Sequence, residues 1–166
     1  MGRREHLKRS KNVNVAIVVV SDSRTPDTDE SGKVAGDLLK KKGHAIAEHL
    51  LIGNDGDTIT NTLIDLTNRV DVDVILTIGG TGISRKDVTV DVLSPLMEKK
   101  LEGFGEMFRT MSFRQIGTGA LMSRSTAGVI NGKVVLCLPG SAAAIRLAVK
   151  KIVIPEIGHM VYEATR

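Results

Sequence analysis

Residues 13–20, VNVAIVVV, are almost continuously apolar and β-branched. That pattern predicts a strand covered on both faces, as in a parallel sheet. The run opens into a polar loop, SDSRTPDTDESG. A helix is predicted over 30–42, with Val34, Ala35, Leu38 and Leu39 on one side and Gly43 at its end. The unit then recurs. HAIAEHLLI (44–52) predicts a second strand, GNDGD a turn, and 58–70 a helix with Ile59, Leu63 and Leu66 on one face. VDVILTI (72–78) predicts a third strand. Two strand–helix–strand crossovers imply an α/β sheet with helices on its faces.

Beyond the third strand the pattern predicts a short helix over 90–97, with Pro95 at an end or kink, and another over 104–113. Two strands, 125–130 and 133–139, flank Asn131-Gly132, a strong hairpin signal. Pro139-Gly140 stops the second of them, and Ser141 is a good N-cap. The last helix is predicted over 142–163, bent or split at Pro155. The expected architecture is a three-layer α/β/α sandwich around a mainly parallel central sheet. It forms a single domain over 13–166 behind a basic flexible N-terminal tail, 1–12.

Composition narrows the function classes. With 42% hydrophobic but only 2% aromatic residues and no Trp, the core of this 166-residue chain must be aliphatic, and its composition argues against base stacking on aromatic platforms. The formal charge of +4 resides in residues 1–11, while the rest carries 18 basic and 18 acidic side chains. A balanced body argues against nucleic acid as a partner. The single cysteine, Cys137, excludes an intramolecular disulfide and a cysteine-rich zinc site, and its apolar surroundings mark it as a core residue. His6, His44, His49 and His159 have no metal-ligand spacing. No apolar run approaches 18 residues, so a soluble cytoplasmic protein without membrane association is expected.

Candidate chemistry gathers at the predicted strand ends. Ser21-Asp22-Ser23, Asp55, the 79–87 stretch and Pro139-Gly140-Ser141 would meet at one edge of a parallel sheet, where open α/β sheets take their ligands. Gly79, Gly80 and Gly82 let backbone amides approach an anion closely. Their spacing fits neither the dinucleotide fingerprint nor the phosphate loop of ATPases. A carboxylate beside a phosphate nest needs a cation between them, and Mg²⁺ bound by Asp55 and Asp87 would serve, with Thr89 adding a hydroxyl. The plainer alternatives are that Asp87 caps a helix and that Asp55 belongs to the Asn54-Asp55-Gly56 turn. Arg85, Lys86 and Arg124 can neutralise phosphates. Ser141 lacks the context of a hydrolase nucleophile.

Three separated segments, TIGGTGISRKDVT, EGFGEMFRTMSF and LMSRSTAGVINGKVVLCLPGS, resemble the MoaB/MogA family of molybdenum-cofactor biosynthesis, and most nearly its MoaB branch. The resemblance spans about residues 13–162 and implies a molybdopterin-binding-domain-like fold assembled as a trimer or hexamer. It further implies a molybdopterin adenylyltransferase that moves AMP from Mg-ATP to the terminal phosphate of molybdopterin and releases pyrophosphate. A partner insertase would then add molybdate or tungstate. By position, Asp55 and Asp87 match the family's essential aspartates, and Gly79, Gly80, Thr81 and Gly82 its nucleotide and pterin-phosphate loop. Ser112, Ser123 and Arg124 match the pterin end, and Pro139, Gly140 and Ser141 the loop closing the nucleotide side. Ser21 and Ser23 join the binding set from the first strand end. Two departures are visible: Cys137 stands where MogA-branch enzymes commonly have Asn, and GSAAAI lacks their Lys, which would leave Arg146 or Lys86 to take its place. The alternative is a catalytically inactive molybdopterin-binding protein of the same family.

Overall fold

The computed structural model describes residues 12–166; the expected basic tail lies outside the described residues except for Asn12. Six strands form one sheet: β1 (Asn14–Val20), β2 (Ala45–Ile52), β3 (Val74–Ile78), β4 (Lys99–Lys100), β5 (Thr126–Ile130) and β6 (Lys133–Leu138). Their order is β2-β1-β3-β6-β5-β4. The pairs β2/β1, β1/β3 and β3/β6 are parallel, and β5 and β4 continue the sheet antiparallel. The expected α/β fold with a mainly parallel sheet is therefore present. β4 has no counterpart in the sequence reading, because two lysines carry no strand signal and only pairing with Gly128 and Val129 defines them.

The alternation of side chains along β1, β3 and β6 builds a core on each face. Val15, Ile17, Val19, Leu76 and Leu136 pack against helices α1 (Glu30–Lys41), α4 (Glu102–Ile116), α5 (Ala142–Ala148) and α6 (Ile154–Thr165). Ala16, Val18, Ile75 and Cys137 face the opposite way, onto Ile59, Leu63 and Leu66 of α2 (Gly56–Thr67) and Leu93 of α3 (Thr89–Leu93). Each fully buried Leu or Ile contributes about 1.5–3 kcal/mol, so these strand interiors anchor the loops that leave their ends.

Local signals act where expected. Asn131 and Gly132 both have positive φ, 49° and 71°, which closes β5 and β6 as a type I′ hairpin. Gly43, at φ 88°, ends α1. The predicted helix over 90–97 is instead α3 followed by a 3-10 turn, Ser94–Leu96, containing Pro95. The C-terminal helix is split by a π segment, Val149–Val153, just before Pro155. Proline has no N–H and its ring crowds the carbonyl four residues back, so the wider turn ends one helix and starts the next.

Cys137 is wholly buried, and burial pushes its thiol up to about 11, partly opposed by a hydrogen bond with Thr77. Because the folded pKa is raised above the ordinary 9.0, the neutral thiol favours the fold below that value, and this contribution is lost as pH climbs through the folded one. An aromatic disulfide reagent at pH 8 should leave the native protein unmodified and should label one thiol per chain after unfolding. Rapid reaction of the native protein would contradict this placement.

Candidate functional site

The carboxyl ends of β1, β3 and β6 and the turn after β2 surround one cavity of about 610 Å³. Each loop reaches it for a local reason. After β1, the Ser21 hydroxyl accepts the amides of Ser23 and Arg24 and turns the chain across the sheet edge. After β3, Gly79 and Gly80 take φ of 109° and 69°, and a Cβ on Gly79 would run into the carbonyl oxygen of Val20. After β6, Ser141 caps α5 through the Ala144 amide at 3.2 Å, leaving Pro139 and Gly140 at the rim.

The glycine loop is fixed from behind. Gly80 accepts the Thr89 amide at 3.1 Å, and a Cβ on Gly80 would strike the Thr89 hydroxyl. Arg124 donates to the carbonyls of Gly82 and Asp87, each at 2.8 Å, and forms a two-pronged pair with Asp91 at 2.7 and 2.8 Å. This pairing holds the Asp91 carboxyl below the usual carboxylate range. The amides of Gly80, Thr81 and Gly82 donate to no protein acceptor among the described residues.

Oxygen donors stand beside those amides. Asp87 lines the cavity and accepts the Ser84 amide through Oδ2 at 2.9 Å, which leaves Oδ1 without a partner among the described residues. Asp22 lines it too, accepting the Asn54 amide at 2.8 Å. Asn54 also donates through Nδ2 to the Lys86 carbonyl, and its Oδ1 is buried with no hydrogen-bond partner among the described residues. One residue thus links the strand-end aspartate of β1 to the segment carrying Asp87. Arg24 and Lys86 bring positive charge, while Phe108, Ile116, Ala120 and Met122 contribute an apolar part of the lining.

Of the residues singled out from the sequence, Ser21, Ser23, Gly79, Gly80, Thr81, Gly82, Asp87, Ser112, Ser123, Pro139, Gly140 and Ser141 line this cavity. Three do not. Asp55 caps α2, its Oδ2 accepting both the amide and the hydroxyl of Thr58 at 2.8 and 2.7 Å. The Thr58 hydroxyl, then its amide, hold that carboxyl below its ordinary value. Thr89 is fully buried behind Gly80, with a hydroxyl lacking any partner among the described residues. Arg124 ties the loop from outside. Arg146 pairs with Glu30 at 3.2 Å instead of facing the cavity. Asp22, Arg24 and Asn54 were not assigned roles from the sequence. Their signal was modest: short polar side chains and a cation within two loops that leave strand ends. The apolar wall had almost none, because the 3-10 turn Gly117–Met122 shows no periodicity.

Residues 16–159 match the family described as a probable molybdopterin binding domain. Molybdenum cofactor biosynthesis protein B of Bacillus anthracis is 43% identical over 164 residues, covering 98% of this chain and 97% of that protein. The protein of the same name from Staphylococcus aureus (strain COL) is 39% identical over the full length of both. Among solved structures, a molybdenum cofactor biosynthesis protein B superposes with a TM-score of 0.90 at 42% identity, covering 93% of this chain and 97% of that one. The tungsten cofactor synthesizing protein MoaB of Pyrococcus furiosus does so at 0.84 and 30% identity, covering 94% and 99%. With its sheet order, its glycine loop and its full-length likeness to these proteins, the chain belongs to the MoaB branch of the molybdopterin-binding family.

Proposed function

We propose that this protein is a molybdopterin adenylyltransferase. The observation that carries the reading is the division of one cavity into two kinds of wall. Unpartnered amides, Lys86 and Arg24 suit phosphates, and the Phe108, Ile116 and Met122 wall suits a flat heterocycle. Its volume lies within the roughly 300–1,000 Å³ typical of small-molecule sites. The MoaB relatives, named for molybdenum or tungsten cofactor synthesis, supply the substrate class.

An oxygen of the terminal phosphate of molybdopterin attacks the α-phosphorus of ATP. A new P–O bond forms, the bond to the β-phosphate oxygen breaks, and pyrophosphate leaves. The attacking group is already an anion at neutral pH, so no protein nucleophile or strong base is required. The work left to the chain is positioning and charge neutralisation. Amides of the glycine loop orient phosphate oxygens, and Lys86 offsets their charge.

A divalent ion suits the carboxylates present: Asp22 and Asp87 both line the cavity and are hard oxygen ligands. Bound there, Mg²⁺ would screen the triphosphate from the carboxylates. Asp55 follows the cavity-lining Asn54 directly, and we assign its carboxylate a negative field felt at the site, in addition to its capping bond. Asparagine caps helices as well as aspartate. Asp55→Asn should therefore keep the unfolding midpoint while lowering turnover about 10²-fold; unchanged turnover would reduce Asp55 to a cap. Asp55→Ala should lower both. Since the folded carboxyl is depressed, the cap is intact above the ordinary carboxylate pKa of 3.8 and fails only as pH falls through the lower folded value.

The apolar residues of α4 and the 3-10 turn after it divide. Phe104 and Phe108 are core, whereas Met107, Phe113, Ile116, Leu121 and Met122 are exposed. Ile116 and Met122 also line the cavity, so this apolar patch continues from its mouth. We assign it to contact with further copies in a trimer or hexamer. Incubation of the protein with molybdopterin, Mg²⁺ and ATP should release pyrophosphate in step with loss of free molybdopterin. Tight pterin binding without pyrophosphate release would favour the non-catalytic binding protein.

A further inference from the structure

Arg24 is a cation at the cavity rim with an unusual degree of internal support. Its side chain is 27% exposed and makes three contacts with the protein. Nη2 donates to the Gly140 carbonyl at 2.5 Å, Nη1 donates to the Ser31 hydroxyl at 2.8 Å, and Nη1 lies 3.8 Å from Asp29 Oδ1. Ser31, itself buried, donates its own hydroxyl to the same Gly140 carbonyl at 2.6 Å. The guanidinium is thus clamped across the loop that follows β6, and a fork of five N–H groups still has donors to offer the cavity.

The group behind it is a buried carboxylate. Asp29 is 2% exposed, caps α1 through the Gly32 amide at 2.9 Å, and faces His49 Nε2 on β2 at 2.8 Å. Space is kept for this arrangement, since a Cβ on Gly32 would overlap both Asp29 Oδ2 and the His49 ring. Helix capping alone does not require a carboxylate to sit so deep, because an exposed Ser or Asn caps as well. A buried charge is retained only with partners. Here one partner is the guanidinium that lines the cavity.

We propose that Arg24 binds the polyphosphate of the nucleotide, the part that leaves as pyrophosphate, and that Asp29 is a positioning residue that holds its guanidinium ready. This inference rests on the adenylyltransferase reading for the identity of its ligand. It also answers the missing lysine after Pro139-Gly140: the cation reaches that loop from β1 instead. A preset fork matches phosphate oxygens at two points and loses little rotamer freedom on binding.

The test is calorimetric titration of the full-length protein with magnesium pyrophosphate, alongside steady-state turnover at varied ATP. Arg24→Gln should weaken pyrophosphate binding about 10- to 100-fold, and Arg24→Lys should recover part of it. Asp29→Asn, which keeps an oxygen for the Gly32 amide, should weaken it about 3- to 10-fold. In all three the KM for ATP should rise with a smaller change in kcat, and molybdopterin binding should match the unaltered chain. A fall in kcat with unchanged KM, or variants that bind pyrophosphate as the unaltered chain does, would overturn the proposal, as would an unaltered chain that binds none. Arg24-dependent pyrophosphate binding without AMP transfer would support the inference while removing the adenylyltransferase reading.

Discussion

Asp87→Asn should leave the protein folded and cut AMP transfer by a factor of about 10² or more. Asparagine preserves the shape and one acceptor oxygen, so the bond from the Ser84 amide, which staples the 84–87 turn, can persist. What it removes is the negative charge of a carboxyl that lines the cavity beside neutral loop amides and Lys86. The effect should fall on kcat more than on the affinity for molybdopterin, because charge screening matters most as pyrophosphate separates. Asp87→Ala should do worse, losing the staple as well. A variant that folds, binds both substrates and turns over at the original rate would remove Asp87 from the site.

Gly79→Ala should be among the most destabilising single substitutions in the chain, at roughly 3 kcal/mol, or a fall of about 6–12 °C in melting temperature. Two causes act together. At φ 109° an L side chain is strained, and the added Cβ points into the Val20 carbonyl of the neighbouring strand. Relief would require β3 to move from β1 or the loop to leave the cavity, so nucleotide affinity should fall with stability. Gly103→Ala is the natural control. That glycine is in α4 with open space around a built Cβ, and helix propensity favours alanine there. Thermal unfolding of both variants checks the contrast; equal stability of Gly79→Ala and the unaltered chain would contradict the geometry of the loop.

The parts of the molecule visible in the sequence share a physical reason. β1 and β3 read clearly because both faces are covered, so almost every position is apolar. The Asn131-Gly132 hairpin read clearly because only such residues accept two successive positive φ values. The gathering of strand ends followed from parallel topology alone, and Ser21, Gly79–Gly82, Asp87 and Pro139–Ser141 do meet. Periodicity does not determine where a loop side chain points. Asp55 and Asn54 are adjacent, yet Asn54 lines the cavity and Asp55 caps α2, a choice made by Thr58. Arg24 is held by Asp29, Ser31 and Gly140, the last of them 116 residues away in sequence. Arg124 was expected at the ligand, but Asp91 and two loop carbonyls occupy it. Such assignments depend on long-range partners, which no local window contains.

The central claim is that the cavity joins a nucleotide phosphate to a pterin phosphate. ATP labelled at the α-phosphorus should pass its label to molybdopterin, while label at the γ-phosphorus should appear only in pyrophosphate. A pterin product that carries γ-label, or none at all under conditions where both substrates bind, would contradict it.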